Sequence, residues 1–176
     1  EGVLQVSTQV NGNGTASYGS ESIRVGIIGV SPTYADLADP ELSIGTFLPQ
    51  APGLQNTRTV VVSAEGASDL GFSVNSIGDE IRLDGVAFTV VGMLDDADGF
   101  GAGQNVYITQ EAARSLFSKS PYLSAISIQA VSQEAVAPVE YRVEQFLRYS
   151  KGVVDDDDAT YSIFNQAALQ DTIKTV

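Results

Sequence analysis

The chain of 176 residues has no cysteine, no histidine and no tryptophan, and its single methionine is Met93. These absences exclude chemistry directly. A Ser-His-Asp triad, a cysteine nucleophile and the common zinc sites all need side chains that are missing. Without cysteine the redox compartment stays open, because an exported domain can manage without disulfides. Bases are scarce as well: three lysines and six arginines face 22 acids, for a formal charge of −13. That balance excludes the basic face that a nucleic-acid binder uses to neutralise phosphates, and it disfavours an anionic lipid surface. No apolar run approaches the roughly 20 residues of a membrane span. There is also no initiating Met and no charged-then-apolar signal segment, so the chain reads as an excised or processed piece.

What is present predicts a folded domain. The apolar fraction is 43%, and the length corresponds to one domain or to two small subdomains sharing a boundary. The most informative stretch runs from Gly78 to Leu94. Ile81 and Leu83 alternate with Glu80, Arg82 and Asp84; Asp84-Gly85 tolerates the positive φ of a type I′ turn; Phe88 and Val90 then resume the apolar phase. This is a β-hairpin pattern. Upstream, Pro32 ends the apolar strand Val25 to Val30, and Gly53 to Arg58 reads as a linker into Thr59 to Val62, with Gly71 further on as a helix stop.

Further along, Val106 to Ile108 reads as a short strand, and Thr109 is placed to cap a helix from Gln110 to Phe117. Ala125 to Val131 alternates as a half-buried strand, with Ile126 and Ile128 on one face. Val136, Val139, Val143, Phe146 and Leu147 recur at helical spacing, with Pro138 tolerable only in the first turn. Thr160 to Phe164 has a strand pattern, and Asn165 suits the N-cap of a last helix reaching Val176. Near the start, Asn11-Gly12-Asn13-Gly14 carries the dipeptides of a turn.

Taken in order, Val25-Gly26-Ile27-Ile28-Gly29-Val30-Ser31-Pro32-Thr33-Tyr34, Leu42 to Leu48, the hairpin and Val106 to Thr109 resemble the extracytoplasmic core domain of MacB-type ABC transporter permeases. The family's "G-V-x-P-x-Y" element falls on Gly29 to Tyr34. Its "x-x-G-R-x-x" element falls around Gly45, where Thr46 stands in place of the usual arginine. The resemblance covers nearly the whole chain. It implies an α+β fold of two subdomains. Residues 1–57 and 121–176 would form a discontinuous sheet-plus-helices "porter-like" subdomain, and residues 58–120 an inserted β-rich "sabre-like" one.

The resemblance also implies a role. The domain would be non-catalytic and extracytoplasmic, held between transmembrane helices of the same permease and paired with a second permease copy. ATP hydrolysis would take place in a separate cytoplasmic ABC ATPase, and the domain would relay the resulting movement to export of a cargo. No catalytic, cofactor-binding or metal-binding residue is expected. Alternative readings are a secreted hydrolase using paired carboxylates and a surface adhesion module. For a sugar hydrolase the missing tryptophan removes the usual stacking platform.

Several motifs have duller readings beside sharper ones. Asp95-Asp96-Ala97-Asp98-Gly99 resembles part of a calcium loop, but the register puts Leu94 at the first ligand position and Asn105 at the twelfth. Asp155 to Asp158 reads as a solvated connector. Gly99 to Gly103 lacks the lysine of a phosphate cradle, and Asn13-Gly14-Thr15 is a formal N-glycosylation sequon. The acidic balance fits a protein working in high salt, where screening suppresses self-repulsion. Melting in a NaCl series tests this: the midpoint is expected to rise with salt, and a flat or falling midpoint contradicts it.

Overall fold

The computed structural model describes residues 2–51, 53–95, 103–116, 123–151 and 161–164. The chain divides into two compact units, Glu1–Gln5 with Ile128–Val176, and Val6–Ser127. Eight strands belong to one sheet: β1 (Val3–Tyr18), β2 (Glu21–Val30), β3 (Leu42–Gly45), β4 (Thr59–Val62), β5 (Glu80–Leu83), β6 (Val86–Leu94), β7 (Asn105–Thr109) and β8 (Ala125–Ala130). Among the described residues four α-helices accompany them: α1 (Tyr34–Ala38), α2 (Ala64–Asp69), α3 (Gln110–Leu116) and α4 (Gln133–Lys151).

In the unit Val6–Ser127, pairing runs β2-β7-β4-β6-β5-β1, and β1 also pairs with β2. The path therefore closes into a ring of strands. The closing contacts are the hairpin register Gln9↔Val30 to Tyr18↔Glu21 on one edge of β1, and Ala16↔Leu83 with Ser17↔Arg82 on the other. A closed ring leaves its members no free edges. Its wall is buried on both sides. Val60, Val62, Val106 and Ile108 face a core shared with Ala16, Val25, Ile27, Ile81, Leu83, Phe88, Val90 and the buried side of α2 and α3. Val61 and Tyr107, one residue out of phase, face a second core with Val30, Tyr34, Leu48 and Leu94. The period of two along each strand separates the cores.

A register shift lets β6 serve both. Val60 pairs with Val90, but Val61 pairs with Gly92, so β6 carries one extra residue there. Val90 packs in the first core and Leu94 in the second, although the two are an even number of residues apart. A bulge has this effect of turning a strand over. Glycine is required at Gly92 because a Cβ there would run into the carbonyl oxygen of Thr46. At Gly29 a Cβ would collide with the Cβ of Ala113, so glycine sets how closely α3 lies on β2.

Local chemistry decides the helix and turn ends. Asp84 and Gly85 both have positive φ, 48° and 83°, as the type I′ reading of the hairpin requires. Ser63 caps α2 by accepting from the Gly66 amide at 3.1 Å, and Gly71 follows it at φ 70°. Thr109 Oγ1 accepts from the Ala112 amide at 3.4 Å at the start of α3.

The unit Glu1–Gln5 with Ile128–Val176 is built around α4. Val139 is buried, and a Cβ at Gly2 would lie 3.2 Å from its side chain. The Val131 amide donates to the Gly2 carbonyl at 3.0 Å.

Four sequence expectations are corrected. Asn11 to Gly14 is no turn: it lies inside β1, paired from Asn11↔Ile28 to Gly14↔Val25, and the chain reverses at Gly19-Ser20. Here a ten-residue ladder overrides a local turn signal. Pro138 is the sixth residue of α4, since the helix begins at Gln133, so it sits in the second turn. Ile126 and Phe146 are 51% and 67% exposed instead of core-facing. Residues 161–164 carry no strand, and Phe164 is 74% exposed. The helix expected from Asn165 to Val176, the run Asp155 to Asp158, residues 96–102 of the acidic loop, Phe117, Pro121 and Tyr122 lie outside the described residues.

Candidate functional site

The residues of the Ser31-Pro32-Thr33-Tyr34 element meet two neighbouring clusters. The first is a chain of hydroxyls. Ser31 Oγ lies 3.1 Å from both Ser7 Oγ and Thr33 Oγ1, and it accepts from the Thr8 amide at 3.0 Å. Thr33 Oγ1 donates to the Val6 carbonyl at 2.6 Å, and the Ser31 amide donates to the Thr8 carbonyl at 3.0 Å. Gln110 Nε2 donates to Thr8 Oγ1 at 2.9 Å, joining α3 to the same strand. Ser7 is fully buried. A satisfied buried hydroxyl adds little net free energy, but removing its partner costs about 1–3 kcal/mol. These bonds fix β1 to the end of β2 where Pro32 turns the chain away.

The second cluster is aromatic. Tyr34, Phe47 and Tyr107 have ring centroids 6.0 to 6.2 Å apart, and both tyrosines are about 5% exposed or less. Burial pushes the Tyr34 hydroxyl far above its ordinary value of 10.0, with the charge and hydrogen bond of Tyr107 adding to the rise. Burial raises Tyr107 too, opposed by its bond with Tyr34. Beside them Val30, Ser31, Pro32, Phe47, Leu48, Pro49, Gln55 and Thr109 line a cavity of about 10 Å³, space for about one water. Its mixed lining suits a bound water, not a drug-sized ligand. The arrangement holds parts together and offers no nucleophile and base in contact.

Gly45 is held at φ 84° against β6, and the Thr46 amide donates to the Val91 carbonyl at 2.9 Å. The position that carries arginine in the resembling family thus contributes a backbone contact here. Elsewhere, Ser63 Oγ and Glu65 Oε2 clamp Gly103, the end of the glycine-rich loop, each at 2.8 Å. Asn13 is exposed on β1, with its sequon held in the ladder to β2. Among the described residues no group of three or more acidic side chains is placed to hold a metal. Sequence reading missed the hydroxyl chain entirely. Its only signal was a set of small hydroxyl residues on either side of Pro32, too common to single out.

A mixed sheet-and-helix fold with this order of strands is the fold of solved extracytoplasmic domains of ABC-type transporters. The family model described as the MacB-like periplasmic core domain matches residues 1–146, and the chain belongs to that family. It is 22% identical over 180 residues to the macrolide export ATP-binding/permease protein MacB of Bdellovibrio bacteriovorus, and 21% identical over 169 residues to that of Chlorobaculum tepidum. Those matches take in 99% and 94% of this chain but only 27% and 26% of the relatives, so the chain spans about a quarter of their length.

The fold is similar to the periplasmic region of MacB from Actinobacillus actinomycetemcomitans, with a TM-score of 0.79 and 17% identity over 99% of this chain and 78% of that one. It is also similar to the extracellular domain of the noncanonic ABC-type transporter YknZ from Gram-positive bacteria, with a TM-score of 0.75 and 20% identity over 86% of this chain and 78% of that one. Membership of the MacB-like periplasmic core domain family assigns the domain to the extracytoplasmic side of a membrane. Among the described residues no helix is long and apolar enough to cross one.

The tyrosine pair has a pH signature. Its folded-state values are raised, so the stability it contributes is complete below pH about 10 and is lost as pH climbs through the folded range. The melting midpoint is expected to fall steadily above pH 10, and Tyr34→Phe is expected to flatten that fall. An unchanged alkaline slope in Tyr34→Phe contradicts the assignment.

Proposed function

We propose that this domain relays movement within an ABC transporter permease and carries out no chemistry of its own. The observation behind this reading is the closed ring of strands whose wall is packed on both sides. Such a body moves as a unit when one end is displaced, because packed cores resist continuous deformation. In the intact protein, transmembrane helices of the same permease hold it outside the membrane. A cytoplasmic ABC ATPase supplies the driving step, and a second permease copy completes the machine. The output is export or release of a cargo, with the domain opening and closing space between the two copies.

The division into a porter-like part, 1–57 with 121–176, and an inserted sabre-like part, 58–120, belongs to the same proposal. Within it 58–120 is the β-rich part, supplying β4 to β7, while 1–57 supplies β1 and β2, so the two parts share the ring and move together. Replacing residues 6–127 by a flexible Gly/Ser linker in the full permease tests the function. Export is expected to fall to background while ATP hydrolysis by the ATPase continues. Export at the native rate contradicts the reading.

A further inference from the structure

The outward side of α4 differs in composition from the rest of this acidic chain. From residue 137 to residue 150 none of the exposed positions is acidic, although acids outnumber bases 22 to 9 overall. The exposed set includes Tyr141, Arg142, Gln145, Phe146 and Tyr149, while the acids of the same span, Glu140 and Glu144, are half-buried. The three aromatic side chains are 63%, 67% and 89% exposed. Aromatic residues and arginine with few acids are the composition of protein interface centres, where anchors of this type dominate the energy.

Spacing adds a second observation. Tyr141, Gln145 and Tyr149 stand four residues apart and form one i, i+4 ridge. The ridge reads the same in both directions about Gln145. When two such ridges pack antiparallel across a twofold axis at Gln145, Tyr141 of one copy faces Tyr149 of the other, and the reverse. Charge then selects the face. Two molecules of charge −13 repel one another through acid-bearing surfaces; the acids of this span, Glu140 and Glu144, are half-buried, and Glu144 is paired with Arg148 at 3.0 Å.

We propose that the Tyr141-Gln145-Tyr149 face of α4 is where a second copy of this chain docks, as an antiparallel helix pair centred on Gln145. The proposal rests on the reading above that two permease copies work together, and it names the surface between their outer domains. The patch is small, so the association is weak in isolated chains and becomes effective where anchoring raises the local concentration.

The lack of cysteine makes the test clean. Gln145→Cys places one thiol on the axis, and Ser20→Cys places one on the exposed β1/β2 turn as a control. Under mild oxidation Gln145→Cys is expected to form covalent dimer at least about tenfold faster than Ser20→Cys, as pre-association raises effective concentration. The advantage is expected to grow with NaCl. It is expected to vanish when Tyr141→Glu and Tyr149→Glu are added, with unchanged circular dichroism showing that these exposed sites leave the fold intact. Equal rates for the two cysteines, or rates indifferent to the added glutamates, overturn the proposal. So does loss of co-flotation with phosphatidylcholine vesicles in the glutamate variant, because the face would then dock on lipid. Failure here leaves the linker-replacement result untouched, so the surface and the export role are judged separately.

Discussion

Closure of the strand ring through β1 is the constraint on which the rest of the structure depends. β1 is sixteen residues long, and its two edges are used by different partners, β2 along most of its length and β5 at Ala16 and Ser17. Without the second contact the sheet would open into two edges, and the core around Ile27, Ile81, Phe88 and Val106 would meet water. The contact is pinned by side-chain chemistry as well as by the ladder: Asp84 Oδ1 accepts from the Thr15 amide at 2.8 Å, and the Asp84 amide donates to the Thr15 carbonyl at 2.9 Å. One turn residue of the β5/β6 hairpin thus closes the ring. Gly14 lies beside that carboxylate, and a Cβ there would strike it.

From closure follow the two cores, and from the cores the arrangement around Pro32. A ring wall buried on one face only would need polar residues on the other. Here Val61 and Tyr107 face a second cluster, and α1 with the segment around Phe47 and Leu48 covers them. Tyr34 therefore couples the strand-ending proline element to the outer side of the wall, while Ser31 and Thr33 couple it to β1. The family's proline-and-tyrosine element acts in this chain as a fastener between layers.

Much of this was legible in the sequence where the deciding chemistry is local. Asp84-Gly85, Gly71 after α2 and Thr109 before α3 announce their turn, stop and cap because a dipeptide, a glycine or a single hydroxyl sets the backbone there. Asn11 to Gly14 misled for the same reason: Asn-Gly favours a turn in isolation, yet the ladder to Val25 through Ile28 outweighs it. Ring closure, the bulge at Gly92 and the bonds that join Ser7 and Thr8 to Ser31 depend on partners from 23 to 69 residues away in sequence, and no periodicity within a segment records them. Phe146 failed differently. It lies at the margin of the helical stripe, where spacing alone does not separate a core residue from an exposed one.

The central claim is that the ring is one cooperative body, and native-state hydrogen exchange measures that most directly. The account expects the ladder amides of β1, β2, β4, β5, β6 and β7 to exchange through a single opening with a common free energy, because breaking any one seam unseals the shared core. Opening of the β1/β2 hairpin at a distinctly lower free energy than β4, β6 and β7 would contradict it.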